Sequence, residues 1–544
     1  MQDVVSGRPP SNAQRLADSV SRIRERAPRL VDFGLATLSA VLLILSFPDF
    51  NLWPLAWCAL VPLLVLFSTN RGRWRPFFLG WLFGTVFFYG SCYWLTYSMI
   101  HTGGISPWVA YPLLLPGAVL LGVFPGLFGF LMACGIRRWE MPAILLAPVV
   151  WSAVEWLRLE VTGQLWNAIG YSQAFRPSLI GPARWGGVYA VGALLVLVNA
   201  AIALVLIRRN VRTITLSASA VIVVLLLIIL PVRRIDGDRP QNTEAVVIAI
   251  QPNVPMDLVK SNDEMKLLTV RHFEMSEAAL KQVQNNTKPK LIIWPESPMN
   301  FGYGGDAQLR AMLASFALQH RVSILLNSQE AAPNDGIYNS AVLINEQGKL
   351  VAQYDKIRLL PFGEYVPLPD WVPGAGLIRA IVGDFTAGTN YRLMPVGKFQ
   401  AGVFICIESA YPSIARRFTN EGADVLINIS NDGYLGPTAV MRQHLANAVF
   451  RAVENGRPLL SVTNTGITAF ITPEGETRDA TAGFTPETRI WSLASTRHGT
   501  TFYTKHGDVF AISCVILSLL IFVFSFLGSN GKAQVYLANL PGGG

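Results

Sequence analysis

Eight apolar runs, each near the length that crosses a lipid bilayer, constrain the fold of this chain more than any other feature. A helix needs roughly 20 residues to cross the hydrocarbon core, with a range of about 17–25, so the second and fifth runs are marginal. The pattern predicts a polytopic α-helical membrane domain with about eight transmembrane helices. The runs lie at about 32–48, 53–69, 77–99, 108–135, 141–157, 187–207, 213–232 and 507–528.

The composition agrees with a membrane protein. Of the 544 residues, 51% are hydrophobic and 15% are charged, whereas soluble domains carry about 25% charged residues. The net charge of +9 would suit a nucleic-acid partner, but arginines that flank membrane spans account for it, so we expect no nucleic-acid binding. The cysteines and histidines form neither a disulfide framework nor a metal-ligand motif, and no metal or other cofactor is expected.

Arginines are distributed unevenly between the connections, which predicts the orientation of the chain. They follow the second, fourth and sixth runs, while the connections near 49–52 and 100–107 contain neither Lys nor Arg. The positive-inside rule therefore puts both termini in the cytoplasm, although the outer connection at 158–186 holds three arginines. The predicted organisation is a basic cytoplasmic segment at 1–30, transmembrane helices 1–7 at 31–232, an outer domain at 233–506, transmembrane helix 8 at 507–528 and a flexible cytoplasmic tail at 529–544.

The outer segment changes character over residues 243–495. Short β-rich runs such as Ala245–Ile250 and Gly402–Ile407 alternate there with helix-like stretches, and this alternation predicts an α/β sandwich. At roughly 250 residues the segment is large enough for its own hydrophobic core. The helix-like stretches lie at about 261–284, 306–320, 410–420 and 438–455.

Cys406 is the only cysteine in this polar part of the chain, and it follows a strand-like run. A thiol needs a neighbouring base or positive charge to react near neutral pH, because the thiolate is the nucleophile. Glu296 and Lys356 also follow strand-like runs and would supply a base and a cation for an oxyanion. Taken alone, Cys406 is equally well a small buried hydrophobe, and the other two are ordinary surface charges. The three together predict a nucleophilic site.

The sequence around each of these residues resembles a known family. Trp294-Pro-Glu296, Tyr354-Asp-Lys356 and Ile405-Cys-Ile-Glu408 are similar to the Glu-Lys-Cys triad segments of the nitrilase superfamily. The stretch Leu360–Pro367 and the eight apolar runs narrow the resemblance to apolipoprotein N-acyltransferases, over about residues 31–528. The resemblance implies an extracytoplasmic nitrilase-like αββα sandwich. Further similar segments are Asn428–Tyr434, Gly456–Leu460, Thr463–Ala469, Glu155–Arg158 and Gly170–Gln173.

The resemblance also implies residue roles. Glu296 would be the general base, Lys356 the oxyanion-stabilising amine and Cys406 the nucleophile, with Glu364 and Glu408 as supporting carboxylates. Glu364 lies between two prolines that restrict its loop, and its alternative is an ordinary loop carboxylate. Glu408 would lie on the same face as Cys406 if the strand continues, and its alternative is a strand-end charge.

The substrates follow from the same resemblance. An acyl chain would pass from a membrane phospholipid, through a thioester on Cys406, to the α-amine of the N-terminal diacylglyceryl-cysteine of an apolipoprotein. The enzyme would be a monomer in the bacterial inner membrane, with its catalytic domain on the periplasmic side, and would need no cofactor.

A possible lid and several departures from the family pattern accompany these roles. Asn431 and Tyr434 are predicted to contact substrate or lid; the family often has Trp at the second position, and often an aromatic residue where Ile407 stands. A tryptophan that the family uses has no counterpart around 256–262. The apolar residues of one connection would form a membrane-dipping lid or simply pack as a loop: Leu368, Trp371, Val372, Leu377, Ile378 and Ile381.

Two other functions fit parts of the sequence. A soluble-type amidase merely anchored to a membrane would need one or two spans and would release free fatty acid. A transporter would place ionisable residues inside its spans, and Glu155 is the main such residue here. Its alternative is a charge at a helix end near the outer interface.

Overall fold

The computed structural model of the protein describes residues 29–69, 72–163, 165–229, 243–256, 260–366, 371, 385–494 and 499–538. The predicted basic segment therefore lies outside the described residues up to position 28, as do positions 539–544 of the predicted tail. The final helix continues to Ala538, beyond the end of the eighth apolar run.

The N-terminal part of the chain is helical, and one more long helix ends the described chain. Three short 3₁₀ helices, Trp53–Trp57, Met141–Leu146 and Ile169–Gln173, interrupt this part. The α-helices are α1 (Leu30–Ser46), α2 (Val61–Thr69), α3 (Trp74–Ser91), α4 (Leu95–His101), α5 (Pro107–Trp139), α6 (Ala147–Thr162), α7 (Pro177–Ile180), α8 (Ala183–Ile207) and α9 (Val211–Ile229).

Several of these helices are apolar, but the count of about eight transmembrane helices is not confirmed. Within the described ranges, three helices are long and apolar enough to cross a membrane: Pro107–Trp139, Ala183–Ile207 and Val211–Ile228. Helices α3 and α4 would make a fourth span if the pair, bent by 50°, is one span. Shorter apolar helices cover Leu30–Ser46, Trp53–Thr69 and Val509–Ser525.

The two marginal apolar runs show why run length overstates helix length. The run at 53–69 divides into a 3₁₀ helix and the nine-residue α2, and the run at 141–157 begins with another 3₁₀ helix before α6. Each 3₁₀ helix has a proline in its first turn, where a missing N–H costs least. An apolar run records burial in lipid or protein, but it does not record whether one continuous helix is formed.

Helices α3 and α5 pack closely against each other in the membrane part. A Cβ at Gly80 would lie 2.3 Å from the carbonyl oxygen of Pro125, so only glycine permits this approach. Small residues at helix interfaces let backbones pack closely where the hydrophobic effect gives no help.

The second part of the chain holds two six-stranded sheets. The strand order is β12-β1-β2-β3-β4-β5 in the first sheet and β11-β10-β9-β8-β7-β6 in the second. The strands are β1 (Thr243–Gln251), β2 (Lys290–Ile293), β3 (Ser323–Ala331), β4 (Ile337–Ile344), β5 (Leu350–Asp355), β6 (Met394–Val396), β7 (Phe399–Ile405), β8 (Val425–Ser430), β9 (Leu459–Thr463), β10 (Ala469–Ile471), β11 (Thr477–Arg478) and β12 (Glu487–Ala494).

Helices cover the outer faces of both sheets. Among the described residues of this part, the α-helices are α10 (Asn262–Gln282), α11 (Ala307–His320), α12 (Pro412–Asn420), α13 (Val440–Asn455) and α14 (Phe502–His506), followed by the terminal α15 (Val509–Ala538). Val247 of β1 shares a buried cluster with Ile405 of β7, whereas its neighbour Ile248 packs with Leu280 of α10 and Leu313 of α11. Alternate residues of a strand point to opposite faces, so this division places β1 between helices and the second sheet. The predicted α/β sandwich is present.

Local sequence explains where the outer helices begin. Ser261 and Glu264 form a capping box at the start of α10, in which the Ser261 hydroxyl accepts from the Glu264 N–H at 3.3 Å. Asp306 caps α11 by accepting from the Leu309 N–H at 2.9 Å. Both starts fall within two residues of the predicted helical stretches.

Strand direction gathers the ends of several strands at one edge. In the first sheet β2 is parallel to β3, and β5 is antiparallel to β4, which is itself antiparallel to β3, so β2 and β5 end at the same edge. In the second sheet β7 and β8 are parallel and also end together. Residues that follow these strands are therefore positioned to form one site between the sheets.

Buried polar contacts hold the sandwich against the membrane helices. Glu454 of α13 accepts from the backbone N–H of Val188 in α8 at 3.0 Å and from Arg451 Nη2 at 2.7 Å. Arg451 also donates to the Tyr171 hydroxyl at 3.3 Å, and both members of the ion pair are fully buried. A buried charge must be paired to be tolerated, so this contact defines one arrangement of the two parts.

Candidate active site

Cys406 stands where β7 ends and the chain turns sharply. Strand β7 stops at Ile405, and residues Cys406–Ala410 form a 3₁₀ helix. Cys406 itself has a φ of 52°, in the left-handed region that non-glycine residues rarely occupy. Glu408 was predicted to share a face with Cys406 if the strand continued, and that condition is not met, because the strand ends at Ile405.

Glu408 instead connects this turn to the first sheet through hydrogen bonds. Its Oε1 accepts hydrogen bonds from the Tyr354 hydroxyl at 2.8 Å, the Ile357 N–H at 2.8 Å and the Arg358 N–H at 3.0 Å. Its Oε2 accepts from the Ile405 N–H at 2.8 Å. The fully buried carboxylate thus holds the chain after β5 beside the residue that precedes Cys406.

Lys356 lies between two carboxylates, directly after β5. Its Nζ is 2.8 Å from Glu364 Oε1 and 3.8 Å from Glu296 Oε1, and its side chain is 1% exposed. Burial alone would lower the pKa of Lys356, but Glu364 and Glu296 outweigh that effect and raise the pKa above its ordinary value. The amine therefore stays protonated and carries a fixed positive charge in the site.

Asn339 on β4 completes the arrangement, and sequence reasoning missed it. Its Nδ2 donates to Glu296 Oε1 at 2.9 Å and to Glu364 Oε1 at 2.6 Å, while its Oδ1 accepts from Asn327 Nδ2 at 2.7 Å. Glu364 is held further by the Leu360 N–H, 2.7 Å from its Oε2. The available signal was two asparagines, Asn327 and Asn339, each next to a short apolar run in β3 or β4.

Glu296 and Cys406 face each other across the two sheets, and each affects the pKa of the other. Burial raises the pKa of Glu296, while Lys356 lowers it and Glu364 raises it. Burial also raises the pKa of the Cys406 thiol, and the Glu296 charge adds to this effect while Lys356 opposes it. The resting site therefore holds a neutral thiol beside a carboxylate that can take its proton. The structure thus brings together Glu296, Lys356 and Cys406, with both supporting carboxylates around them.

Two further side chains hold the Cys406 carbonyl oxygen, and sequence reasoning missed both. Asn428 Nδ2 donates to it at 3.2 Å and His444 Nε2 lies 2.9 Å away. His444 Nδ1 is in turn 2.7 Å from Asp432 Oδ1. Asn428 and Asp432 fall in a segment that the sequence singled out, but His444 lies within a helix and gives no such signal.

The remaining residues that the sequence singled out differ in exposure and in their distance from the site. Tyr434 is 44% exposed, and burial of its hydroxyl, together with the nearby Glu296 carboxylate, raises its pKa, so Tyr434 borders the site. Asn431 is buried, and its Oδ1 accepts from the Gly433 N–H at 3.1 Å. Ile407 is 9% exposed. Trp371 is 82% exposed, and the other predicted lid residues, Leu368, Val372, Leu377, Ile378 and Ile381, lie outside the described residues.

The loop that carries Tyr434 also touches the membrane part. A Cβ at Gly436, whose φ is 67°, would lie 2.3 Å from the ring of Tyr97 in α4. The border of the site is therefore in direct contact with a helix of the apolar region.

Glu155 lies in the body of α6 rather than at its end. It is 5% exposed, and its Oε1 accepts from the Ile169 N–H at 2.8 Å. The carboxylate therefore joins α6 to the connection that follows it.

Known proteins resemble this chain in both of its parts. Residues 39–201 match the family model for the apolipoprotein N-acyltransferase N-terminal domain, and residues 249–497 match the carbon-nitrogen hydrolase model. The apolipoprotein N-acyltransferase of Geobacter metallireducens is 32% identical over 91% of this chain and 95% of its own length. The chain belongs to the apolipoprotein N-acyltransferase family. The resemblance drawn from the site segments is therefore confirmed.

Other relatives extend this comparison. The apolipoprotein N-acyltransferase of Allorhizobium ampelinum is 30% identical over 75% of this chain and 78% of its own length. Among solved structures, an amidase from Nesterenkonia sp. AN1 is 16% identical, covers 51% of this chain and 99% of its own, and gives a TM-score of 0.37. As a member of this acyltransferase family, the chain joins a carbon-nitrogen hydrolase domain to several apolar helices.

Proposed function

We propose that this protein is a phospholipid:apolipoprotein N-acyltransferase that carries the acyl group on Cys406. The observation that supports this most directly is the cluster of Glu296, Lys356 and Cys406 in a domain whose site border contacts a helix of the apolar region. A nucleophile beside a base and a cation suits acyl transfer, and its closeness to membrane helices suits substrates with chains in the bilayer.

The first half-reaction loads the enzyme. Cys406 Sγ attacks the ester carbonyl carbon of a phospholipid while Glu296 takes the thiol proton. The Lys356 ammonium, buried between its carboxylates, stabilises the oxyanion of the tetrahedral intermediate. The C–O bond then breaks, Glu296 returns the proton to the leaving alkoxide, and a lysophospholipid departs from the thioester.

The second half-reaction unloads it. The α-amine of the N-terminal diacylglyceryl-cysteine attacks the thioester carbon, so that a C–N bond forms and the C–S bond breaks. Glu296 accepts the amine proton and passes it to the Cys406 thiolate, which restores the resting thiol. The lipoprotein becomes triacylated, and these proton transfers need no cofactor.

We place the protein in the bacterial inner membrane as a monomer, with residues 233–506 on the periplasmic side and about eight helices crossing the bilayer. The arginine distribution supports this orientation, because arginines lie in alternate connections between the apolar runs, apart from the three in the connection at 158–186. The bent pair α3–α4, the shorter apolar segments Leu30–Ser46, Trp53–Thr69 and Val509–Ser525, and helix α6 would supply the crossings beyond the three long helices.

A product assay tests the proposal. The full-length protein in detergent, given phospholipid and a synthetic diacylglyceryl lipopeptide, should form triacylated lipopeptide and lysophospholipid in equal amounts. Cys406→Ala should abolish both products. Cys134→Ala, a matched change at a buried cysteine of α5, should leave them unchanged.

Two results would overturn the proposal. Release of free fatty acid without lipopeptide acylation would point to an anchored amidase instead. Amide formation that survives Cys406→Ala but is lost with Glu155→Gln would remove Cys406 from the reaction.

A further inference from the structure

Gln443, on α13, joins the sandwich to three connections of the membrane part. Its Oε1 accepts from Trp94 Nε1 at 3.0 Å and from Trp166 Nε1 at 2.8 Å. Its Nε2 donates to the Pro48 carbonyl at 3.2 Å and the Ser91 carbonyl at 3.1 Å. These partners lie after α1, at the end of α3 and after α6, so one side chain binds three separate chain segments.

The Gln443 amide has no hydrogen-bonding capacity left for a ligand. A glutamine side chain offers two N–H donors and two acceptor lone pairs, and the contacts above use all of them. The residue is 4% exposed, so a broken contact would leave a buried donor or acceptor unpaired. The geometry therefore suits a fixed mechanical connection rather than substrate binding.

The next residue, His444, reaches the nucleophile. Its Nε2 lies 2.9 Å from the Cys406 carbonyl oxygen, and its Nδ1 lies 2.7 Å from Asp432 Oδ1. Successive residues on a helix point about 100° apart, so one turn of α13 can face both the membrane part and Cys406. The Trp166 ring, which donates to Gln443, also lies 5.9 Å from the His444 ring.

Cys406 needs such support because of its backbone. A cysteine with φ of 52° is strained, and strained residues persist where their surroundings hold them. The carbonyl of Cys406 is held by His444 and by Asn428, and His444 is fixed by Asp432. Loss of the His444 contact would let the peptide after Cys406 rotate and the thiol move away from Glu296.

We propose that Gln443 and His444 are positioning residues that connect the membrane helices to the backbone of Cys406, so that packing of the membrane part sets the orientation of the nucleophile. The inference rests on the proposed function for its meaning, since a lipid-fed nucleophile must be aligned with the helices that deliver its substrate. It adds to that function a residue pair that touches neither substrate nor the reacting sulfur.

A double-mutant cycle with two readouts tests the connection. Gln443→Leu, His444→Leu and the double variant are compared with the unmodified protein for kcat and KM of acyl transfer, and for the rate at which iodoacetamide alkylates Cys406, read by peptide mass spectrometry. Each single change should lower kcat about 10-fold or more, with KM within about 2-fold, because orientation acts on the chemical step. Alkylation should slow by about 5-fold in both.

The double variant decides between a connection and two separate roles. If both residues act through the Cys406 backbone, kcat and the alkylation rate of the double variant should lie within about 2-fold of those of His444→Leu alone. The proposal would be overturned if the two single losses in kcat multiplied in the double variant. It would also be overturned if Gln443→Leu changed only KM, or if neither single change slowed alkylation. Alkylation needs no lipid and no acyl transfer, so failure of the proposed function would leave this test intact.

Milder variants test the same connection with less risk that the protein misfolds. Trp166→Phe removes one donor to Gln443 but keeps a ring beside His444, and it should slow alkylation about 2- to 3-fold. His444→Gln restores an N–H toward the Cys406 carbonyl and should recover much of the rate lost in His444→Leu, whereas no recovery would contradict the proposal. Gln282→Leu, at the exposed end of α10, is the control and should change neither readout.

Discussion

The two sheets contribute different things to the site. The first sheet supplies its charges. Glu296, after β2, and Glu364 lie beside the buried ammonium of Lys356, which follows β5. The second sheet supplies Cys406, whose strained backbone is held by hydrogen bonds to its carbonyl and by Glu408 at the preceding residue. One half therefore sets the proton affinity of the site, and the other sets the direction of the sulfur.

This difference predicts two kinds of mutational outcome. Changes in the charge half should act mainly on rate and pH dependence, because these charges do not hold the turn at Cys406. Lys356 is the exception, since its loss leaves two buried carboxylates without a countercharge. Changes in the geometry half should lower rate and stability together, because the same bonds hold the chain and aim the nucleophile.

Glu296→Gln should have the largest effect in the charge half. It removes the base without altering side-chain size, so acyl transfer should fall by about 10²–10⁴-fold. Transfer to the lipopeptide, followed by mass spectrometry, measures the loss. Glu277→Gln, a carboxylate on the outer surface of α10, is the control, and a loss of only a few-fold at Glu296 would contradict its role.

Lys356→Met should come next. It leaves Glu296 and Glu364 buried without a countercharge, so transfer should fall by about 10²–10³-fold. Breaking a buried ion pair costs about 3–5 kcal/mol, so the melting temperature in detergent should also fall. Lys356→Arg should not rescue activity, since a planar guanidinium does not replace a compact ammonium. Full activity in either variant would rule out the assigned role.

Glu408→Gln tests the geometry half. An amide cannot accept all four hydrogen bonds that the carboxylate accepts, and its NH₂ group would face N–H donors. The free energy of unfolding should fall by about 2–3 kcal/mol, and the rate of acyl transfer should fall about 10-fold. Thermal melting and transfer rates are measured on the same preparation. A rate loss with unchanged melting would assign Glu408 to the charge half instead.

Glu364→Gln should produce the smallest change and the most specific one. Glu296 acts as a base only when ionised, so the rate should rise with pH through the pKa of Glu296. Burial raises that pKa, Lys356 lowers it and Glu364 raises it, so removing the Glu364 charge should move the acid limb of kcat/KM to lower pH by up to about one unit. A shift to higher pH would contradict the assigned electrostatics.

In both halves, sequence predicted some residues of the site and missed others. Glu296, Lys356 and Cys406 each follow a strand, and strand ends can be recognised from apolar runs with β-branched residues. Asn339 and His444 lie inside a strand and a helix, so only the three-dimensional packing shows that they face the site. The turn at Cys406 was equally hidden, because an apolar run does not show where φ becomes positive.

The membrane part was predicted in kind but not in detail. Hydrophobicity identified apolar helices, yet the division of the runs at 53–69 and 141–157 into 3₁₀ and α segments depends on packing. Glu155 illustrates the same limit, since its partner, the Ile169 N–H, lies in a later connection that no periodic pattern reveals.

Acyl transfer by the proposed route requires an acyl group attached to the sulfur of Cys406. Intact-mass analysis of the purified protein after incubation with phospholipid alone should show one added acyl group. Hydroxylamine should remove it, as expected of a thioester, and a diacylglyceryl lipopeptide should discharge it. The adduct should be absent in Cys406→Ala and present in Cys134→Ala. An unmodified wild-type protein, or acylation that survives Cys406→Ala, would contradict the account.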